Sequence, residues 1–201
     1  MRLGDGLDPQ TQVGPLINEE RRTEVHAAVK LGIEEGATLL CGGGIAGEGA
    51  LEHGWFYKPT IFTNVKPTMR IAREEIFGPV VAILRVASLE EGVEVLNDTN
   101  YGLSSSVYTR DVNAAFRAIR DIEAGITYVN GPTIGAEVQL PFGGVKETGN
   151  GHREASWTVL DAYTEWKSIY VDYSGRLQRA QIDTHEDPNH PEANQDAGRE
   201  S

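Results

Sequence analysis

The sequence contains a single cysteine, Cys41, among its 201 residues. One cysteine cannot form an internal disulfide, so the fold does not depend on an oxidising compartment. No apolar run approaches the roughly 18 to 20 residues that span a membrane, and the first residues lack the apolar stretch of a signal peptide. We therefore expect a cytoplasmic protein with no membrane partner.

Positive charge is also scarce. The chain carries 18 basic and 30 acidic residues, which gives a formal net charge of −12. Such a charge repels nucleic acid and anionic lipid, and we expect no nucleic-acid partner. Hydrophobic residues make up 39% of the chain, which is enough to bury a core at this length.

Common catalytic and metal-binding motifs are missing. The sequence has no G-x-S-x-G elbow, no H-E-x-x-H, no paired Cys-x-x-Cys and no P-loop lysine, so we predict neither a catalytic triad nor a metal site. Gly42, Gly44 and Gly47 do match G-x-G-x-x-G. Because the segment Glu48–His53 leads into an aromatic strand and not into a helix, we predict a loop without a phosphate-binding role.

Apolar periodicity predicts an alternation of helices and strands. Helices are predicted over Glu19–Gly36, Ile71–Ile76, Leu89–Leu96, Val112–Ala124 and Glu154–Tyr163, and strands over Ala37–Cys41, Trp55–Phe62, Val80–Val86, Leu103–Tyr108, Ile126–Val129 and Lys167–Tyr173. The inward-facing positions are predicted to be Val25, Val29, Ile33, Ala115, Ile119 and Ile122. The alternation indicates an α/β fold with a doubly wound parallel sheet.

Local signals place several ends of these elements. Asn18 is predicted to cap the first helix, and Gly36 to follow its last turn. Ser88 with Glu91 forms the pattern of a capping box. The nearly continuous apolar run Val80–Val86 predicts a strand buried on both faces.

The stretch Leu140–Glu154 is the most distinctive in the chain, with four glycines in fifteen residues. Glycine lets a backbone bend sharply and pass close to another group, so the stretch is either a functional-site loop or an ordinary surface loop. The segment Asn130–Lys146 directly follows a predicted strand, and ligands bind at the carboxyl ends of strands in such sheets. This position favours a site. His152 is either an acid-base or ligand group, or a capping or surface residue.

Two further candidates precede this loop. Glu74 and Glu75 could accept hydrogen bonds from sugar hydroxyls, with Phe77 offering a flat apolar face, or they could form a solvated acidic turn. Cys41 could be a nucleophile, because a thiolate is the strongest nucleophile among side chains. Its apolar neighbours Thr38–Leu40 and the lack of a nearby histidine favour a core position instead.

Taken together, the chain resembles the NAD(P)-dependent aldehyde dehydrogenase superfamily over almost its whole length. The segments that carry the resemblance, in order, are Gly54–Thr60, Glu74–Val80, Tyr101–Leu103 with Val107–Asp111, Val129–Asn130, Pro141–Lys146 and Ala162–Lys167.

The resemblance implies roles for particular residues. Glu75 is expected to bind the nicotinamide-ribose hydroxyls, Phe77 to pack beside the nicotinamide, and Phe142 to line the aldehyde tunnel. Lys167–Tyr173 is expected to pair with a neighbouring subunit in a homo-oligomer, although periodicity alone also allows pairing within the sheet.

The details of the resemblance point to one subgroup. Thr148 stands where the family usually has serine, and His152 is inserted before Arg153. Together with the ending Tyr170–Gly175, this version is closest to members that oxidise semialdehydes of dicarboxylic acids, such as 2-oxoglutarate semialdehyde.

The resemblance also implies that parts of the enzyme are absent. In family members the Rossmann cofactor domain, the general-base glutamate and the nucleophilic cysteine precede the part that resembles this chain. We therefore expect a C-terminal portion, inactive alone, of an enzyme that uses NAD or NADP. The predicted divisions are a partial catalytic domain (1–166), an oligomerisation segment (167–182) and an acidic disordered tail (183–201), which has six acids and one arginine.

Two alternatives remain open at this point. The chain could be a non-catalytic module that joins a full-length aldehyde dehydrogenase or a complementary fragment of one. It could also be an orphan whose face towards the missing cofactor domain is left exposed.

Overall fold

A computed structural model of the chain describes residues 1–135 and 137–175. The chain divides into two units, Met1–Tyr163 and Thr164–Ser201. The elements of the first unit follow in the order α1 (Glu19–Glu34), β1 (Thr38–Cys41), β2 (Thr60–Thr63), α2 (Arg70–Arg73), β3 (Val80–Ala82), α3 (Leu89–Asn97), β4 (Ser104–Val107), α4 (Val112–Asp121), β5 (Ile126–Val129) and α5 (Val159–Tyr163), with a 3₁₀ turn at Gly49–Leu51. No helix of the described residues is long and apolar enough to cross a membrane.

The strands form two sheets. One has the order β1-β2-β3, and the other pairs β4 with β5. β2 runs parallel to β3, and β4 runs parallel to β5, with a helix in each connection. These are the predicted βαβ units, and the predicted α/β class is confirmed.

β1 departs from the parallel arrangement, because it runs antiparallel to β2. The chain between them, residues 42–59, contains a 3₁₀ turn and no crossover helix, so the chain reverses direction. Leu39 lies opposite Phe62 and Cys41 opposite Ile61, which leaves an irregularity between Leu39 and Cys41.

The main core lies between α1, β2 and the α2 region. Its fully buried side chains are Val25, Val29, Tyr57 and Phe62, and Ile71 of α2 packs beside them. The prediction that Val25 and Val29 face inward is therefore confirmed.

The predicted helix caps are confirmed. Asn18 Oδ1 accepts a hydrogen bond from the Arg21 amide at 2.8 Å, and Gly36 follows α1 with a left-handed φ of 92°. Ser88 Oγ accepts from the Glu91 amide at 3.1 Å. The Glu91 carboxylate accepts in return from the amide of Ala87, one residue before the cap.

Two predicted inward positions are wrong. Ile33 is 49% exposed and Ile119 is 45% exposed, whereas Gly32 and Ala118 are buried. A spacing of four residues exceeds one turn of 3.6, so a stripe of apolar side chains at this spacing drifts around the helix. The position one residue earlier therefore returns to the core.

Two predicted strands are shorter than expected. In place of Trp55–Phe62, the strand begins at Thr60, although Tyr57 forms an isolated bridge with Ile45. In place of Val80–Val86, β3 ends at Ala82 and leaves Val81 55% exposed. The prediction of burial on both faces is wrong because only one face of this run, with Val80 and Ala82, packs against the core, and the face with Val81 is left uncovered.

Cys41 lies in the predicted strand, but the expectation that it packs in the core is wrong. It is exposed, as is its neighbour Leu40 at 63%. β1 is the other edge of the sheet, so short apolar side chains along it need not be covered.

The C-terminal elements also differ from the expectation. Glu154 pairs with Phe142 in an isolated bridge, and the helix begins only at Val159. Lys167–Tyr173 forms no strand in the described part of the second unit. The predicted acidic tail, 183–201, lies outside the described residues.

Candidate functional site

Glu74 is held by an arginine one helical turn before it. The Arg70 guanidinium donates to both carboxylate oxygens of Glu74, at 2.6 and 2.9 Å, and the Arg70 amide donates to the Glu35 carboxylate at 3.0 Å. The hydrogen bond from Arg70 lowers the pKa of Glu74 below its ordinary value. Glu74 is therefore a structural partner of Arg70.

Glu75, the next residue, has no such partner. It is exposed, and within residues 1–135 and 137–175 it forms no hydrogen bond or ion pair. It lines a cavity of about 490 Å³ between α1 and the α2 region, together with Arg21, Glu24 and Ile76. A carboxylate with free acceptor sites in a cavity can bind hydroxyl groups of a ligand.

Phe77 has an unusual backbone conformation. Its φ is 52°, which is rare for a bulky residue, and its ring is 69% exposed with the Arg21 guanidinium 5.7 Å from the ring centroid. Gly78 packs so closely on Val25 that a Cβ there would lie 2.5 Å from a methyl carbon. The Thr60 amide donates a hydrogen bond to the Pro79 carbonyl at 2.8 Å. The residues after Phe77 are thus anchored, while its ring faces outward.

Phe142 lies in a loop that is closed by a two-stranded bridge. The amide of Phe142 donates to the Glu154 carbonyl at 2.6 Å, and the Glu154 amide donates back at 2.7 Å. The loop between them lines one side of an open cavity of about 380 Å³, to which Phe142, His152 and Tyr163 contribute. Phe142 is half-buried and is one of the residues that line this cavity.

Glycines bring this loop against the β4–β5 sheet. A Cβ at Gly125 would overlap the carbonyl group of Gly143. The Gly102 carbonyl accepts from the Val145 amide at 2.9 Å, and the Gly102 amide donates to Thr148 Oγ1 at 3.0 Å. Larger side chains at Gly102 or Gly125 would hold the loop away from the sheet.

These contacts correct the expected position of the loop. Gly102 and Gly125 precede β4 and β5, so residues 143–148 lie at the amino end of this sheet. Only the start of the loop lies at the carboxyl end of the sheet, where the Asn130 amide donates a hydrogen bond to the Val107 carbonyl. The loop runs from one end of the parallel pair to the other, which its position after a strand cannot reveal.

The glycine-rich segment after β1 leads into no α-helix. Gly42 and Gly43 have φ of 80°, and the Gly43 amide donates to Thr60 Oγ1 at 2.9 Å. No α-helix follows before β2. The predicted absence of a Rossmann helix at this point agrees with the structure, and Cys41 beside it lines neither cavity described above.

His152 helps to line the second cavity. Its amide donates to Asn150 Oδ1 at 3.1 Å, and its side chain is exposed. No group of three or more His, Cys, Asp or Glu side chains in the described ranges could hold a metal ion.

The structure brings only some of the predicted site residues together. Glu75 and Phe77 lie on one turn, and Phe142 lies on another, and the two cavities share no lining residue. The sequence did not indicate a role for Asn97. Its carbonyl accepts a hydrogen bond from Lys146 Nζ of the Phe142 loop. The signature Pro141–Lys146 contains that lysine, but no pattern indicates its partner.

The fold is that of an α/β protein of the aldehyde dehydrogenase type, as comparisons with known proteins show. A profile of the aldehyde dehydrogenase family matches residues 1–169. The chain belongs to the aldehyde dehydrogenase family.

Individual relatives agree with this assignment. Betaine aldehyde dehydrogenase of Mesorhizobium japonicum is 42% identical over 172 residues, which cover 86% of this chain and 35% of that protein. Alpha-ketoglutarate semialdehyde dehydrogenase of Haloferax volcanii is also 42% identical over 172 residues, covering 85% and 35%. The crystal structure of NAD-dependent aldehyde dehydrogenase from Sinorhizobium meliloti superposes with a TM-score of 0.81 at 40% identity, covering 88% of this chain and 34% of that chain. This chain therefore spans about a third of the length of these relatives.

Proposed function

We propose that this chain is the C-terminal portion of an NAD(P)-dependent aldehyde dehydrogenase, and that it supplies one wall of the cofactor site and one wall of the aldehyde tunnel. The observation that carries the proposal is the contrast between Glu74 and Glu75. The first carboxylate is bound on both oxygens by Arg70, and the second is free in a cavity. The free carboxylate of Glu75 can accept hydrogen bonds from a ligand, whereas that of Glu74 is already occupied.

The residues fit the nicotinamide-ribose part of the cofactor. Two ribose hydroxyls can donate to the free Glu75 carboxylate, and the exposed Phe77 ring offers an apolar face to a planar ring. The residues do not fit the pyrophosphate, since the Gly42–Gly47 segment opens no helix. The pyrophosphate would be held by a part of the enzyme outside this chain.

On the aldehyde side, Phe142 supplies an apolar surface. Its backbone is fixed by the two hydrogen bonds to Glu154, so the ring is positioned by the loop closure. An apolar wall of this kind excludes water and orients a small substrate.

Oxidation of an aldehyde by this family requires a thiolate, a hydride acceptor and a base. NAD(P), when bound, accepts the hydride. The only cysteine of the chain, Cys41, is exposed on an edge strand and lines neither cavity, so this chain supplies no suitably placed thiolate. We infer that the 201 residues alone do not complete the reaction.

The substrate we propose is a semialdehyde of a dicarboxylic acid. Support comes from the segment Thr148–Glu154 and from the ending Tyr170–Gly175, which resemble that subgroup. The relatives do not separate it from betaine aldehyde, because one of each kind is 42% identical. We also propose that the protein is cytoplasmic.

A chimera tests the proposed function and the substrate together. This chain would replace the matching third of the Sinorhizobium meliloti enzyme, and NADH formation would be measured with 2-oxoglutarate semialdehyde and with betaine aldehyde. We expect turnover that favours the semialdehyde relative to the parent enzyme. A correctly folded chimera without any aldehyde oxidation would contradict the proposed function, and a preference for betaine aldehyde would contradict only the substrate.

A second candidate function is non-catalytic assembly with another aldehyde dehydrogenase subunit or a complementary fragment. The observation that favours it is the exposed stretch Lys167–Tyr173, where Ile169 is 74% and Val171 is 61% exposed. Its backbone forms no strand in the described residues, and an extended segment with exposed apolar side chains can add to the sheet edge of another chain.

Sedimentation of the purified chain tests this assembly. We expect dimers or larger oligomers that are lost in Ile169→Asp with Val171→Asp. Lys167→Asp, at the start of the stretch, is the control for added negative charge. A chain that is monomeric at all concentrations would contradict the role of the stretch.

A further inference from the structure

The cofactor-side turn with Glu75 and the substrate-side loop with Phe142 line separate cavities, yet both are attached to one short segment, Asn97–Gly102. This segment leads from the end of α3 to the start of β4. It has no role in the family signatures discussed above beyond the stretch Tyr101–Leu103. Its contacts run in three directions.

The first direction is towards the cofactor side. The Arg73 guanidinium forms an ion pair with Asp98, and its Nε donates to the Pro67 carbonyl at 3.0 Å. Arg73 is the last residue of α2 and lies two residues before Glu75. This ion pair, whose side chains are 43% and 63% exposed, therefore links the end of α2 to the segment.

The second direction is towards the substrate side. Lys146 Nζ donates to the Asn97 carbonyl at 2.5 Å and forms an ion pair with Glu123 at 2.9 Å. The Glu147 amide donates to the Asn100 carbonyl at 2.9 Å. With the bonds between Gly102 and the loop, these contacts set the position of residues 145–148, a few residues after Phe142.

The third direction anchors the segment itself. The Asn97 side chain donates to the Asp121 carbonyl and accepts from the Glu123 amide, each at 2.8 Å. Both functional groups of the amide are therefore used, and they bind the end of α3 to the end of α4. Buried or half-buried side chains with both groups satisfied act as rigid connectors.

We infer that Asn97 is a positioning residue, which sets the placement of the Glu75–Phe77 turn relative to the Phe142 loop through its anchored segment. The value of this arrangement for catalysis rests on the proposed function, because Glu75 and Phe142 have their roles from it. The coupling between the two turns is argued from these contacts without that function, and the variants below measure it.

Fluorine NMR of the full chain labelled with fluorophenylalanine tests the coupling. The chain has five phenylalanines, and two of them, Phe77 and Phe142, report on the two turns. In Asn97→Ala we expect both of these resonances to shift or broaden, while that of the buried Phe62 stays in place.

A matched control lies at the other end of the same helix. Glu91→Ala removes the bond to the Ala87 amide and so weakens the start of α3 without touching Asn97. We expect the Phe77 and Phe142 resonances to stay unchanged. If Asn97→Ala leaves either resonance unmoved, or if Glu91→Ala moves both as strongly, the inference is overturned.

Two milder variants decide the matter if Asn97→Ala does not fold. Asp98→Asn weakens the ion pair on the cofactor side and is expected to shift Phe142. Lys146→Met weakens the contacts on the substrate side and is expected to shift Phe77. Effects confined to the near side in both variants would overturn the coupling. No aldehyde or cofactor is present in these measurements, so their outcome does not depend on whether the chimera oxidises aldehydes.

Discussion

Two adjacent glutamates show how strongly the local partners of a side chain decide what it can do. The Arg70 guanidinium binds both carboxylate oxygens of Glu74. This bidentate geometry is favourable, but the pair is exposed to solvent. Glu75 keeps all of its acceptor sites. The identical side chains therefore differ in their capacity to bind a ligand.

We predict that Glu75→Gln in the chimera raises the KM for NAD about tenfold or more. The reason is that a hydrogen bond from a hydroxyl to a charged acceptor contributes about 1.5–3 kcal/mol, and glutamine is a neutral acceptor. Steady-state kinetics with varied NAD check this. Glu74→Gln is the matched control and is expected to leave the KM within about twofold. An unchanged KM in Glu75→Gln would remove the proposed role.

A second pair of side chains at the residue scale is buried. Tyr57 is 1% exposed, and its hydroxyl lies 3.0 Å from His26 Nδ1. Burial raises the pKa of Tyr57 from 10.0 to about 12, so the hydroxyl keeps its proton and can donate to the imidazole.

This raised pKa predicts a loss of stability in alkali. Because the pKa is higher in the folded state, the contribution of Tyr57 is complete below pH 10.0 and is lost as the pH rises through about 12. We expect the free energy of unfolding to fall by about 2 kcal/mol more over this interval in the natural chain than in Tyr57→Phe. Denaturant titrations at several pH values measure it. Tyr163→Phe, at an exposed tyrosine, should leave the slope unchanged.

At the scale of elements, the contact of α1 with α2 and β2 depends on a glycine. A Cβ at Gly32 would lie 2.9 Å from Ile71 Cδ1 and 3.3 Å from Phe62 Cζ. Both neighbours are buried, so they have little room to move. The absence of a side chain lets the helix approach the sheet.

We predict that Gly32→Ala lowers the free energy of unfolding by about 1–2 kcal/mol, since overpacking exceeds the gain of about 1 kcal/mol in helix propensity. Thermal or chemical denaturation checks this. The control is Ala27→Gly on the exposed side of α1, which should lose about 1 kcal/mol through propensity alone. A stabilised Gly32→Ala variant would show that α1 does not pack this closely.

At the scale of the whole molecule, the proposed function assigns this chain two half-sites without the group that would react between them. Glu75 and Phe142 line separate cavities, and Cys41 lines neither. The chain spans about a third of the length of these relatives, and under the proposed function the remaining groups lie outside it.

We therefore predict no aldehyde-dependent NADH formation by the purified 201-residue chain. The thiohemiacetal requires a thiolate next to the aldehyde, and the exposed edge-strand cysteine is not placed for it. A spectrophotometric assay with several aldehydes measures the rate, with Cys41→Ala as the matched variant. Turnover that disappears in Cys41→Ala would refute the prediction.

The parts of the structure that the sequence by itself determined are local or periodic. Asn18, Ser88 and Gly36 act through the geometry of a single turn, so their roles could be predicted without knowledge of neighbours. The helix between each pair of parallel strands could also be predicted, because two parallel strands that follow each other in the chain need a crossover connection. The proposed ligand contacts of Glu75, Phe77 and Phe142 came from resemblance and remain predictions.

Only the tertiary structure decided which side chains are covered and which distant residues they contact. The exposure of Cys41 depends on β1 being an edge strand, and the antiparallel pairing of β1 depends on where its connection leads. The bonds of Asn97 reach residues 24 to 49 positions further along the chain. Contacts over such separations leave no periodic pattern in the sequence, because they depend on how distant elements come together when the chain folds.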